Sequence, residues 1–234
     1  MIISHKHKFI FIKTEKTAGT SLEIALSKIC GPDDVITKIR AEDEAYRQEL
    51  GYRGPQNYYI PLKVYNWKDV VRSIYKRRFR KFDRHESAIV VKERIPEDIW
   101  NSYYKFCFER NPWDKVISWY YWRGYNKRYD SILEYIKAGK AGGVRGFSLY
   151  SKNAVPIVDK IYKYEELDEA LKDLSEKLNL ETPIEMPKKK LKGDTRKDKK
   201  HYSEVLTKEE ADWISMMFAR EIKLLNYKFE NKTL

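Results

Sequence analysis

Three short apolar runs, each leading into an amphipathic helix, predict an α/β fold: a central parallel sheet flanked by helices in three layers. The runs are Phe9 to Ile12, Tyr104 to Glu109 and the stretch Ile157-Val-Asp-Lys-Ile-Tyr. The first is wholly apolar, as in strands buried on both faces of a parallel sheet. A chain of 234 residues suits one such domain, so residues 1–234 read as a single unit.

The opening Met-Ile-Ile-Ser-His-Lys-His-Lys, with His5 and His7, reads as a basic, frayed end. After the Phe9 to Ile12 strand comes a tight loop, Lys13 to Ser21. A helix follows with Leu22, Ala25, Leu26 and Ile29 on one face, stopped by Gly31-Pro32. Such a strand–loop–helix junction turns free backbone N–H groups and the positive end of a helix dipole toward an anion. Residues 31–84 lack a clean period and read as a variable segment of short helices and loops over the sheet edge. Ser87 can cap a helix running toward Arg94, although Ile89-Val90-Val91 is equally good strand material. Pro96-Glu-Asp starts a short helix that includes Trp100.

Tyr104 to Glu109 is the second strand, with Cys107 buried in it. Asn111 and Pro112 open the next helix, whose apolar face is Trp113, Val116, Ile117 and Tyr120. The third strand leads into a helix with Leu167, Ala170, Leu171, Leu174 and Leu178 in register. Thr207-Lys-Glu-Glu210 is a capping box opening a long final helix, with Ala211, Ile214, Phe218, Ile222 and Leu225 facing inward.

Composition narrows the function. The hydrophobic fraction of 42% fits a globular protein. No stretch approaches the roughly 18 apolar residues of a membrane span, and the first residues lack the features of a signal peptide. A cytoplasmic protein without a membrane span is expected. Cys30 and Cys107 are far apart, without zinc-ligand spacing, so no metal is expected. The net charge of +12 calls for an anionic partner. Two basic runs supply much of it, Arg72 to Arg84 and Lys188 to Lys200; each reads either as a solvated face or as a polyanion-binding surface.

The first loop reads Lys16-Thr17-Ala18-Gly19-Thr20-Ser21. It lacks the Gly-x-x-x-x-Gly-Lys-Ser/Thr order of nucleotide-triphosphate loops. It resembles instead the loop by which sulfotransferases hold the 5′-phosphosulfate of the donor PAPS. The second junction, Phe106-Cys-Phe-Glu-Arg-Asn-Pro, has Arg110 after a strand and Ser118 eight residues later. It closely resembles the stretch by which the same family binds the 3′-phosphate. PAPS carries two separate phosphate groups, so two anion sites are needed, and a guanidinium fork plus a hydroxyl suit the second.

The resemblance covers most of the chain apart from residues 31 to 80 and implies a P-loop-like sulfotransferase of the carbohydrate, family 2-like type. Lys16 is then expected to neutralise the leaving phosphate, with Thr17, Ala18, Gly19, Thr20 and Ser21 around it. His85, in Arg84-His-Glu-Ser-Ala88, occupies the position of that branch's base; Glu86, Asp83 or an acid within residues 31–80 are the alternatives. The run at about 186–201 matches a basic flap over the donor, with Lys192, Arg196 and Lys199 as candidate contacts. Two departures stand out: Glu15 replaces a common proline, and Lys115 a common arginine. The expected partners are PAPS, with PAP as product, and an acceptor hydroxyl on a saccharide, without metal or nucleic acid. The rival readings are a nucleotide kinase or NTPase, and a non-catalytic polyanion or RNA binder.

Overall fold

The computed structural model describes residues 1–189 and 200–230. Its centre is a five-stranded sheet in the order β3-β1-β2-β4-β7, formed by β1 (Ile2–Ser4), β2 (Phe9–Ile12), β3 (Val35–Ile36), β4 (Tyr104–Glu109) and β7 (Lys160–Lys163). A separate two-stranded ribbon joins β5 (Ser151–Lys152) to β6 (Val155–Pro156).

The three strands read from sequence are the parallel ones: β2 pairs with β4 and β4 with β7. The sheet as a whole is mixed, which corrects the all-parallel expectation. Strand β1 runs antiparallel to both β2 and β3. The first residues are therefore not frayed. Ile2, Ile3 and Ser4 are buried, and Lys8 adopts a left-handed φ of 53° in the turn into β2. A three-residue strand is too short to show a period, and the histidines and lysines that follow it hide it. His5 and His7 are tied down as well, to the Tyr103 hydroxyl and the Ile29 carbonyl.

Side-chain alternation along β2 builds the layers. Phe9 and Phe11 face α1 (Gly19–Ser27) and, with Phe106 and Phe108, pack on Leu22, Leu26, Leu171 and Leu174. Ile10, Ile12 and Cys107 face the opposite side, toward Val91, Trp100 and Leu149. Between β3 and β4 run α2 (Ala41–Glu49), α3 (Trp67–Lys76), α4 (Ala88–Arg94) and α5 (Glu97–Ser102). The ambiguous stretch after Ser87 is thus helical, with the Ser87 hydroxyl accepting from Val90 N at 3.4 Å.

Beyond β4, α6 (Pro112–Trp122), α7 (Ile132–Lys137) and α8 (Phe147–Tyr150) precede the ribbon; α9 (Leu167–Lys177), α10 (Tyr202–Val205), α11 (Lys208–Met217) and α12 (Ala219–Leu225) follow β7. Asn111 caps α6 through its side-chain oxygen, and Thr207 with Glu210 forms the capping box of α11. The expected long final helix is broken at Phe218, the C-cap of α11 and N-cap of α12. Helices α6, α7 and α11 share a third apolar cluster around Trp113, Tyr135 and Ile214.

Candidate active site

The loop between β2 and α1 leaves the carboxyl end of a parallel strand, the usual place for a ligand in α/β sheets. Lys16 and Ala18 take left-handed φ values of 64° and 52°, which curls the backbone between them. Gly19 is required by close approach: a Cβ there would stand 2.8 Å from Lys13 Cγ and 3.3 Å from the Thr14 carbonyl oxygen. Below the loop lies a buried charge pair, Lys13 Nζ to Glu23 Oε2 at 2.6 Å. Burial opposes the Glu23 charge, but Lys13 and the Met1 nitrogen beside it outweigh that cost and hold its pKa at about 2.

Thr17 faces inward. Its hydroxyl meets Thr14 Oγ1 at 2.9 Å, and Thr14 in turn bonds the Phe108 carbonyl. Thr14 thus pins the loop to β4, and Thr17, held on Thr14, lines neither cleft described below.

Arg110, at the end of β4, ties the second junction to the first. Its Nη1 donates to the Lys16 carbonyl at 3.1 Å, Nε donates to Asp114 Oδ2 at 2.9 Å, and the guanidinium lies 4.7 Å from the Tyr164 ring centre. Behind it, Glu109 Oε1 accepts from Arg110 N at 3.0 Å and from the buried Lys115 ammonium at 2.5 Å. Lys115 is therefore a buried structural partner of Glu109.

Two clefts meet at this point. The larger, about 1090 Å³, is lined by Lys16, Ala18, Ser21, Arg110 and Ser118, and further by Tyr164, Lys188, Lys189, Lys200 and Tyr227. The smaller, about 110 Å³, is lined by the loop from Lys13 to Ser21 except Thr17, by His85, and by Trp119 and Trp122. Lys16, Ala18 and Ser21 form the wall that both share.

His85 Nδ1 stands 2.9 Å from the Lys13 carbonyl oxygen. A carbonyl only accepts, so Nδ1 carries the proton and Nε2 keeps its lone pair. Burial pushes the pKa down to about 3, assisted by the Lys13 charge and opposed by the carbonyl bond. The ring is neutral at neutral pH. Beside it Trp119 and Trp122 stack with centres 5.2 Å apart, and Lys16 Nζ lies 5.1 Å from the Trp122 centre. Glu15 is neutralised in place: Arg145 N donates to Oε2 at 2.8 Å, and its guanidinium Nη2 to Oε1 at 3.2 Å.

The predicted residues Lys16, Ala18, Ser21, Arg110 and Ser118 thus converge on one cleft, and His85, Gly19 and Thr20 on its neighbour. Lys192, Arg196 and Lys199 lie outside the described residues. Sequence reasoning missed Tyr164, Tyr227 and the tryptophan pair. A signal existed for Trp122, which falls off the apolar stripe of α6 on the side of Ser118, whereas Trp119 packs with the stripe. Among the described residues no group of three His, Cys, Asp or Glu side chains is placed to hold a metal ion.

The fold and site define an α/β protein with two cationic poles at the carboxyl ends of adjacent parallel strands, suited to a ligand with two separated anionic groups. A sequence model of the sulfotransferase family matches residues 1–228, and the chain belongs to that family. The match includes residues 31–84, where no motif was legible. An uncharacterized protein from Archaeoglobus fulgidus is 32% identical over 104 residues, covering 42% of this chain and 87% of the relative. No solved structure matches.

Proposed function

We propose that the protein transfers a sulfuryl group from PAPS to an acceptor hydroxyl on a saccharide, in the cytoplasm, with His85 as general base. The observation that carries this reading is the shared wall of the two clefts. Lys16 and Ser21 face Arg110 and Ser118 across the larger cleft and His85 across the smaller one. Residues able to hold a doubly phosphorylated donor therefore adjoin a neutral imidazole.

The residues fit such a donor by charge and position. Lys16, the backbone of Ala18 to Thr20 and Ser21 would hold the 5′ end, and Arg110 with Ser118 the 3′-phosphate. PAPS, when bound, supplies the sulfuryl group. Lys16 would offset the negative charge that develops on the leaving oxygen, and His85 Nε2 would accept the acceptor's hydroxyl proton. Trp122, the less buried of the two indoles lining the smaller cleft, would pack against a sugar ring there.

Calorimetric titration with PAP tests the donor. Metal-independent binding is expected, and Arg110→Ala should weaken it about 10- to 100-fold, the worth of charge-assisted hydrogen bonds. Failure to bind PAP, with tight Mg²⁺-dependent ATP binding instead, would replace this reading with a nucleotide kinase.

A further inference from the structure

Helix α3 is inside out. Trp67, Val70, Val71 and Ile74 follow the i, i+3, i+4, i+7 spacing of a core-facing stripe, yet all are exposed, Trp67 at 71% and Ile74 at 72%. The adjoining Tyr75, Leu62 and Phe79 are also exposed, at 85%, 64% and 64%. Between this face and the turn at Leu62 lies an apolar groove of about 350 Å³.

The orientation is fixed from behind. Asp69, the buried residue on the opposite face, pairs with Arg94 at 2.6 Å and Arg80 at 3.3 Å. The Tyr65 hydroxyl accepts from Arg80 N at 2.6 Å, and Asn66 with Asp69 forms a capping box. The helix is anchored by its polar side and offers its apolar side to the surroundings.

Charge selects what covers it. Lys68, Arg77 and Arg78 border the apolar face, Arg72 and Lys76 lie farther round the helix, and all five are exposed, while the only acid between Leu62 and Lys81 is the buried Asp69. A second copy of this chain would set these cations against each other. A nucleic acid or other hydrated polyanion would leave the tryptophan and isoleucine uncovered. A surface that is apolar inside and anionic at its rim fits both features, with long basic side chains reaching outward to the charged layer.

We propose that α3 and its flanking residues dock this protein peripherally on an anionic lipid bilayer, with Trp67, Ile74 and Phe79 inserted and the rim cations on the headgroups. Among the described residues no helix is long and apolar enough to cross a membrane. The inference is independent of the proposed reaction.

Flotation with vesicles of phosphatidylcholine, with and without phosphatidylserine, tests it. The protein should float with the phosphatidylserine vesicles only, and high salt should release it. Ile74→Asp should lower the bound fraction about tenfold, the loss expected for one buried aliphatic side chain. Arg77→Glu with Arg78→Glu should do the same, both variants keeping the wild-type melting temperature. Absence of vesicle binding, or equal binding to neutral vesicles, would overturn the proposal. So would a wild-type dimer in light scattering that Ile74→Asp dissociates, or vesicle binding that Ile74→Asp leaves intact.

Discussion

His85 shows how much a single backbone contact decides. Its Nδ1 hydrogen bond to the Lys13 carbonyl selects the tautomer, and burial keeps the ring neutral. Replacement by alanine should lower turnover about 10²- to 10⁴-fold while PAP binding survives. The folded pKa of about 3 lies below the ordinary 6.5, so the unfolded chain takes up the extra proton first. The His85 contribution to stability is complete above pH 6.5 and lost as pH falls toward about 3. The acid limb of kcat/KM for this group therefore lies well below 6.5. Ring-proton NMR should show no titration of His85 near neutral pH in the free protein, and an upward shift with PAP, whose anionic charge opposes that of Lys13. An ordinary midpoint in the free protein would contradict a buried neutral base.

At the scale of elements, the site depends on how closely the N-terminus of α8 packs on the end of β4. A Cβ on Gly146 would fall on the Lys115 ammonium and the Glu109 carboxylate, both buried. Gly146→Ala should therefore destabilise the protein by about 1–3 kcal/mol, the usual range for overpacking. The same push should reach the donor site, because Glu109 also accepts from Arg110 N. Urea denaturation and PAP titration of one variant measure both effects. An unchanged midpoint would show that the pair yields at no cost. The capping residues Ser87, Asn111 and Thr207 behave more simply, each satisfying its own helix.

For the whole molecule, the larger cleft joins residues distant in sequence: Lys16 after β2, Arg110 after β4, Tyr164 after β7 and Tyr227 after α12. A donor that bridges them stabilises the folded state as a unit. At PAP concentrations about 100-fold above Kd the stabilisation is about 2.7 kcal/mol. For a domain of this size the melting temperature should rise by about 5–10 °C. Arg110→Ala should reduce the shift at the same PAP concentration. A wild-type shift near zero would mean that the cleft does not close around this ligand.

What the sequence determined by itself is local. The Phe9–Ile12 run, the Lys16 to Ser21 loop, the Asn111-Pro112 helix start and the Thr207 capping box are each written within a few residues, so the two strand–helix junctions could be read directly. Helix α3 was not read from the sequence: its 67, 70, 71, 74 apolar spacing is short and interrupted by basic residues. The tertiary structure decided whatever depends on which distant segments meet. It placed β1 antiparallel between β3 and β2, a strand whose three residues carry no periodic signal. It turned the Thr17 hydroxyl onto Thr14, which itself bonds the Phe108 carbonyl of β4, and brought Arg110 onto the Lys16 carbonyl. It also set His85 on the carbonyl of Lys13, 72 positions away in sequence. Neither a tautomer nor a depressed pKa is encoded by neighbouring residues; both arise from burial and from a partner that only the fold supplies.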